Sequence, residues 1–117
     1  MSYRTQRVAE EMKREIANIL KEDIKDPRVG FVTVTSVEVT PDFRYAKVFV
    51  SIFGDEREVN EALAGLEKAS GFIRREIGQR IKLRYTPELT FRFDESIRHG
   101  AKIAHLLAHM EEKEGKE

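Results

Sequence analysis

Basic side chains and glycine occur together in residues 69–92. This stretch holds six basic and two acidic residues, whereas the fifteen residues before it hold two basic and five acidic residues. Arg75 and Lys82 lie seven residues apart, which places them on one face of a helix. Arg74 and Gly78 lie beside them. Because Lys and Arg bind phosphate and glycine leaves the backbone open to a ligand, the stretch predicts a nucleic-acid contact in a chain of zero net charge.

Ala69, Ser70 and Gly71 come immediately before the basic residues. Small residues and glycine predict a break here, with a third helix from about Phe72 to Arg84. The first N–H groups of such a helix would be free, and free N–H groups at a helix start bind anions. Three other interpretations stay open: a plain helix–helix joint with Ser70 as N-cap, a basic stripe that is only a solvated face, and close helix packing at Gly78.

A second line of cations lies in the first predicted helix, which runs from about Tyr3 to Ile24. Arg7, Arg14 and Lys21 recur every seven residues, opposite the apolar side chains. These three residues are secondary candidates for contact with RNA.

The residue types argue against catalysis. The chain has no cysteine, so it has no thiolate nucleophile, disulfide or zinc–thiolate site. It has no serine between glycines and no glycine-rich phosphate loop. His105 and His109 are four residues apart, a spacing that can bind metal, but no third ligand is evident. We therefore expect no enzyme activity, metal, cofactor or small-molecule substrate.

Hydrophobic periodicity predicts one α+β domain. Residues 32–39 and 45–53 form a hairpin, with a β-bulge near Thr35 and Ser36 and turn residues at 40–42. A second helix begins near Asp55 or Glu56, and the third predicted helix is followed by a strand at 89–93. The last predicted helix, capped by Asp94 or Ser96, carries Ile97, Ala101, Ala104 and Leu107. This order predicts helices packed on one face of a three-stranded sheet, plus a C-terminal helix.

The predicted domain spans residues 1–110, followed by a charged and disordered tail at 111–117. No apolar run reaches the length of a membrane span, and the N-terminus lacks an apolar signal region. With the absence of cysteine, these features favour a cytoplasmic monomer without a membrane partner. An alternative function is protein–protein docking through Phe49 and Phe53 on the outer sheet face, unless the terminal segments cover them.

Five segments resemble the ribosome-binding factor A family. They are residues 7–11 (RVAEE), 24–34 (IKDPRVGFVTV), 37–42 (VEVTPD), 45–51 (YAKVFVS) and 89–94 (LTFRFD). The resemblance covers about residues 3–107, and the Asp-Pro-Arg segment before the Thr/Val strand is its most specific part.

The resemblance implies a type II KH-like fold with the order α-β-β-α-α-β. KH domains use a GxxG loop to clamp nucleotides, which this family replaces by a kink with alanine and glycine, matched here by Ala69-Ser70-Gly71. It further implies binding to 16S rRNA in the free small (30S) ribosomal subunit late in its maturation. Support of 16S 5′-end processing and of growth in the cold is implied as well. The longer C-terminal extension of some members is nearly absent here.

Overall fold

The structure, a computed structural model, describes residues 3–95. Its elements in chain order are α1 (Tyr3–Glu22), a 3₁₀ turn (Pro27–Val29), β1 (Val32–Val39), β2 (Tyr45–Ile52), α2 (Glu56–Arg80) and β3 (Glu88–Phe93). The predicted α+β class is confirmed. The predicted C-terminal helix, including His105 and His109, and the tail at 111–117 lie outside the described residues.

β1 and β2 form the predicted antiparallel hairpin. Their register shifts between Val34 and Ser36, so Thr35 is the extra residue of the predicted β-bulge. The shift moves Val37 and Val39 onto the same buried side as Val34. In the connecting turn, the Thr40 hydroxyl donates to the Asp42 carboxylate at 2.6 Å.

β3 completes the sheet by pairing in parallel with β2, which gives the strand order β1-β2-β3. Both helices pack on one face of this sheet, as predicted. The core lies between these two layers and consists of buried apolar side chains from α1, β1, β2 and α2. Five of its largest members are fully buried: Met12, Ile16, Leu66, Ile73 and Ile77.

α2 begins where the sequence predicts. The Asp55 carboxylate accepts a hydrogen bond from the Glu58 N–H at 2.9 Å, and the Glu58 carboxylate accepts one from the Asp55 N–H at 3.3 Å. This reciprocal capping box satisfies two of the free N–H groups that every helix start exposes.

The predicted break at Ala69-Ser70-Gly71 is wrong. α2 continues through it as one helix of 25 residues, so the second and third predicted helices form one element of the structure. The Ser70 hydroxyl does not cap a new helix but donates to the Glu67 carbonyl at 2.7 Å. Burial explains the continuity, because one apolar stripe runs from Val59 to Ile77. Its packing outweighs the cost of a glycine, about 1 kcal/mol relative to alanine.

α2 also ends earlier than predicted, at Arg80 rather than Arg84. Ile81 adopts an extended conformation, and its side chain is buried in the core. The chain then crosses to β3 through residues 81–87. Lys82 therefore lies beyond the helix and does not continue the helical stripe of Arg75.

Candidate nucleic-acid interface

Arg75 and Lys82 are both exposed to solvent. Arg75 lies on the outer surface of α2, and Lys82 lies in the segment that follows the helix. Within residues 3–95, neither side chain forms an ion pair or a hydrogen bond. The structure thus presents two free cations at this end of the molecule, as the predicted interface requires.

Arg80 binds three carboxylates in this region, and none of the three is paired with Arg75 or Lys82. Its guanidinium pairs with Asp23 at 2.8 Å and with Glu15 and Glu76 at 3.4 Å. Partial burial acts to lower the pKa of Arg80, but the hydrogen bond to Glu15 and the charges of Asp23 and Glu76 outweigh it and raise that pKa. Arg80 therefore ties α1 to α2 and holds Glu76, the carboxylate adjacent to Arg75.

Gly71 lies four residues before Arg75, on the same exposed stripe of α2. A Cβ added at Gly71 would meet no atom within 4 Å, so no contact inside the described molecule requires a glycine here. The predicted anion site at this position is wrong, since the N–H groups after Gly71 lie inside a continuous helix. What remains is a patch of bare helical backbone facing outward.

Two neighbours of Gly71 escape the sequence reasoning. Phe72 is 37% exposed, and Lys68 precedes it by one helical turn on the outer surface. Lys68, Phe72 and Arg75 are spaced at i, i+4 and i+7, which places them on one face of a helix. This spacing indicates a shared exposed face only if the helix is unbroken at Gly71. An exposed aromatic ring between two cations is suited to contact with unpaired bases.

Arg74 and Gly78 hold the segment after α2 in place. The Arg74 Nη2 and Nε atoms donate to the Thr86 carbonyl at 2.9 and 3.3 Å. A Cβ at Gly78 would lie only 2.8 Å from the Thr86 hydroxyl. The expectation that Gly78 leaves backbone open to a ligand is therefore wrong, because Thr86 fills that space. Close packing is the reason for this glycine, with a loop rather than a helix as the partner.

Ala69 and Ser70 contribute less surface than Gly71. Both are half-buried, and Ala69 packs against the core. Of the predicted tripeptide, Gly71 is the residue that α2 exposes to solvent.

Arg7 joins this region from α1. Arg7 and Lys82 line one groove of about 550 Å³ between the start of α1 and the segment after α2. Its complete lining is Arg4, Arg7, Val8, Glu11, Arg80, Ile81, Lys82 and Leu83. Arg4 lies over the Phe43 ring at 5.4 Å. Arg80 is already paired with carboxylates, so Arg4, Arg7 and Lys82 against Glu11 leave the lining of this groove net positive.

The other secondary candidates are more distant. Arg14 lies in a neighbouring groove of about 700 Å³, where Glu10 and Glu11 offset its charge and those of Arg7 and Lys13. Lys21 follows Arg7 by about 21 Å along the helix axis and lines a separate groove beside β1. Only Arg7 of the predicted line thus meets the basic end of α2.

The two phenylalanines of the alternative docking surface differ in exposure. Phe49 is half-buried, whereas Phe53 is 85% exposed just beyond the end of β2.

No described helix is long and apolar enough to cross a membrane. Within residues 3–95, no three metal-binding side chains cluster together.

Fold and surface together define a small α+β domain with one cationic end, an arrangement suited to binding a nucleic-acid backbone. The family model described as "Ribosome-binding factor A" matches residues 4–107. A protein of that name from Moorella thermoacetica is 59% identical over 110 residues, which cover 92% of this chain and 90% of the relative. One from Halothermothrix orenii is 53% identical over 111 residues, covering 95% and 91%. The chain belongs to the ribosome-binding factor A family.

Solved structures of the family share the fold. The crystal structure of ribosome-binding factor A from Thermus thermophilus has a TM-score of 0.68 and 26% identity, covering 75% of this chain and 93% of that one. A homology model of the Thermus thermophilus protein, fitted into a cryo-EM map of a 30S–RbfA complex, has a TM-score of 0.65 and 25% identity. It covers 78% of this chain and 96% of that one.

Proposed function

We propose that this protein binds the free small (30S) ribosomal subunit through its 16S rRNA and assists late maturation without covalent chemistry. The observation that carries the proposal is that Arg75 of α2 and Lys82, just beyond the helix, are exposed and have no partner within residues 3–95. The relative seen in a 30S complex supports the choice of partner. The protein acts as a cytoplasmic monomer and needs no cofactor.

The residues of the interface have different roles. Arg75 and Lys82 contact phosphates, and Gly71 lets the RNA backbone approach the helix closely. Arg7 adds a contact from across the basic groove. Arg74 mainly positions the segment that carries Lys82, while its Nη1 atom lies outside the two hydrogen bonds to Thr86 and can face a phosphate.

Binding of this kind biases the conformation of immature rRNA, and the protein then leaves. We infer that efficient 16S 5′-end processing and growth in the cold depend on this step. A strain that lacks the protein should accumulate 16S precursor with an unprocessed 5′ end, most strongly at low temperature. The wild-type gene should restore processing, whereas the gene for the charge-reversed variant described next should not.

The test reverses the two free charges with Arg75→Glu and Lys82→Glu. Because both side chains are exposed and unpaired within the described residues, helicity and melting temperature should stay nearly unchanged. Affinity for purified small subunits should fall about tenfold or more, since two phosphate contacts become repulsions. Quantitative co-sedimentation at fixed salt measures this loss.

Lys25→Glu with Arg92→Glu is the matched control. It makes the same change of residue types and net charge at two exposed positions away from the basic groove. This control should bind nearly as the wild type does. The salt dependence of wild-type binding should exceed that of the Arg75/Lys82 variant by roughly one unit of slope per lost contact. Equal binding by both double variants would exclude this end of α2 from the interface.

A further inference from the structure

Two phenyl rings lie exposed at the open end of the hairpin. Phe31 is 73% exposed and Phe53 is 85% exposed. The last β1–β2 pair is Val32 with Ile52, so Phe31 and Phe53 stand opposite each other one position further along the same register. Both line a groove of about 270 Å³ with Ile52 and Pro27. The sequence suggested Phe49 as the neighbour of Phe53, whereas the register makes Phe31 that neighbour.

The rim of this aromatic groove is acidic. Glu58 and Glu61 line it from the first turns of α2, where Asp55 and Glu56 lie as well. Arg28 lines the groove as well, but its side chain pairs with Asp26 at 2.6 Å, and Arg57 pairs with Glu61 at 3.1 Å. The groove therefore combines an apolar floor with a net negative rim.

We propose that the groove formed by Phe31 and Phe53 is a docking site for a cationic protein segment of the small subunit that inserts an apolar side chain between the rings. Charge complementarity selects this occupant, because a phosphate backbone would be repelled by the same carboxylates. Paired aromatic side chains in a small cleft are typical anchors of protein interfaces. This inference rests on the proposed function, and it places protein contact and RNA contact at opposite ends of α2.

Exposure of the rings makes the site accessible to a tethered probe. The chain contains no cysteine, so Phe53→Cys creates a single thiol that a benzophenone maleimide can label. The attached ring is aromatic and apolar like the side chain it replaces. Gln79→Cys, labelled in the same way, is the control, because Gln79 is exposed at the opposite end of α2, one turn after Arg75.

Each labelled protein is bound to purified small subunits, the bound fraction is measured by co-sedimentation, and the complex is irradiated. From position 53 we expect cross-links that survive ribonuclease and map to a polypeptide segment with net positive charge. From position 79 we expect cross-links to rRNA. The docking site alone would be overturned if co-sedimentation is intact but position 53 gives no cross-link to a subunit protein. Such an outcome includes cross-links to rRNA, to residues 96–117 of the chain itself or to a second copy, and no cross-link above background. Failure of the unlabelled wild-type protein to co-sediment with small subunits would overturn the proposed function as well.

A substitution that removes one ring gives an independent measure. Phe53→Ser should leave the melting temperature nearly unchanged because the side chain is 85% exposed, yet it should weaken subunit binding about tenfold. Tyr45→Ser is the matched control, since Tyr45 is an exposed aromatic residue on the outer sheet face, away from the groove. Equal binding by the two variants would contradict a docking role for Phe53.

Discussion

The two halves of α2 differ in the charge of their side chains and in the contacts that these side chains make. The first half is acidic, and several of its residues contact the protein's own chain: Asp55 and Glu58 cap each other, and the 3₁₀ turn packs against Gly65. The second half is basic and open, with Arg75 unpaired and Gly71 bare.

The difference shows that a net charge of zero hides a separation of acidic and basic side chains along one helix. The acidic side chains near the basic half are held by Arg80, which binds Glu15, Asp23 and Glu76 at once. One cation thereby leaves others free to contact phosphate. A chain with zero formal charge can in this way expose cations that none of its own carboxylates within residues 3–95 pairs with.

Continuity between the two halves is the property with the largest expected effect. Proline at position 71 removes a helical hydrogen bond and clashes with the preceding turn. Gly71→Pro should therefore lower the free energy of unfolding by about 2–3 kcal/mol. Denaturation in urea, followed by circular dichroism, measures the change.

Glu56→Pro is the control for that substitution. Glu56 is the first residue of α2, where proline is tolerated, and Asp55 before it already has the extended conformation that proline demands. We expect a change within about 0.5 kcal/mol. Equal costs at positions 56 and 71 would mean that the helix is interrupted at Gly71 after all.

Removing the charge of Arg80 should reduce the difference in charge between the two halves of α2. Arg80→Gln leaves the carboxylates of Glu15, Asp23 and Glu76 without their cation, and their negative charge then weakens the attraction of this region for phosphate. Binding to small subunits should weaken several-fold even though residue 80 is not proposed to touch RNA. Arg57→Gln, which breaks one exposed ion pair in the acidic half, should leave binding unchanged. Undiminished binding by the Arg80 variant would show that Arg80 does not shield the interface.

Alanine substitution separates the open glycine from the packed one. Gly71→Ala should stabilise the protein by up to about 1 kcal/mol, because the methyl group meets open space in a helix. Gly65→Ala should give no such gain, since its methyl group would crowd Val29, Arg28 and Asp26 at 3.3–3.4 Å. Thermal melts measure both.

The same glycine variants test the interface. If RNA approaches the bare backbone, Gly71→Ala weakens subunit binding despite the gain in stability. Stronger or equal binding by this variant would remove Gly71 from the interface.

The smallest effect concerns acid stability. The side-chain hydrogen bond from Arg28, together with the Arg28 backbone N–H, lowers the pKa of Asp26 from 3.8 to about 2. A lowered pKa stabilises the folded state above the unfolded pKa, and this contribution is lost as the pH falls from about 4 to about 2. Asp26→Asn should therefore flatten the decline in melting temperature over that range. An unchanged pH profile would contradict the Asp26–Arg28 bond.

Local signals in the sequence predicted much of the fold. The phase change near Thr35 and Ser36 predicted the bulge, and the start of a helix near Asp55 or Glu56 was predicted as well. The same local reasoning failed at Gly71. A glycine beside a serine is a local signal for a helix break, whereas the buried stripe that keeps α2 continuous depends on packing against distant parts of the chain. The parallel pairing of β3 and the contact between Gly78 and Thr86 depend on tertiary structure, which no local pattern encodes.

For the candidate site, the sequence identified Arg75 and Lys82, which the structure shows as exposed, but it gave their geometry wrongly. Arg74 proved to be a positioning residue through its bonds to the Thr86 carbonyl. Lys68 and Phe72 were missed because the assumed break separated them from Arg75. Phe31 was missed because its proximity to Phe53 follows from the strand register rather than from spacing.

Directed cleavage of rRNA tests the central claim most directly. Gln79→Cys and Arg57→Cys each carry a single thiol, since the chain has no other cysteine, and each can hold an iron–EDTA group that generates hydroxyl radicals. Bound to small subunits, the probe at position 79 should cleave 16S rRNA at a few discrete sites, whereas the probe at position 57 should cleave it weakly. Equal cleavage from both positions, or stronger cleavage from position 57, would contradict the assignment of RNA contact to the basic half of α2.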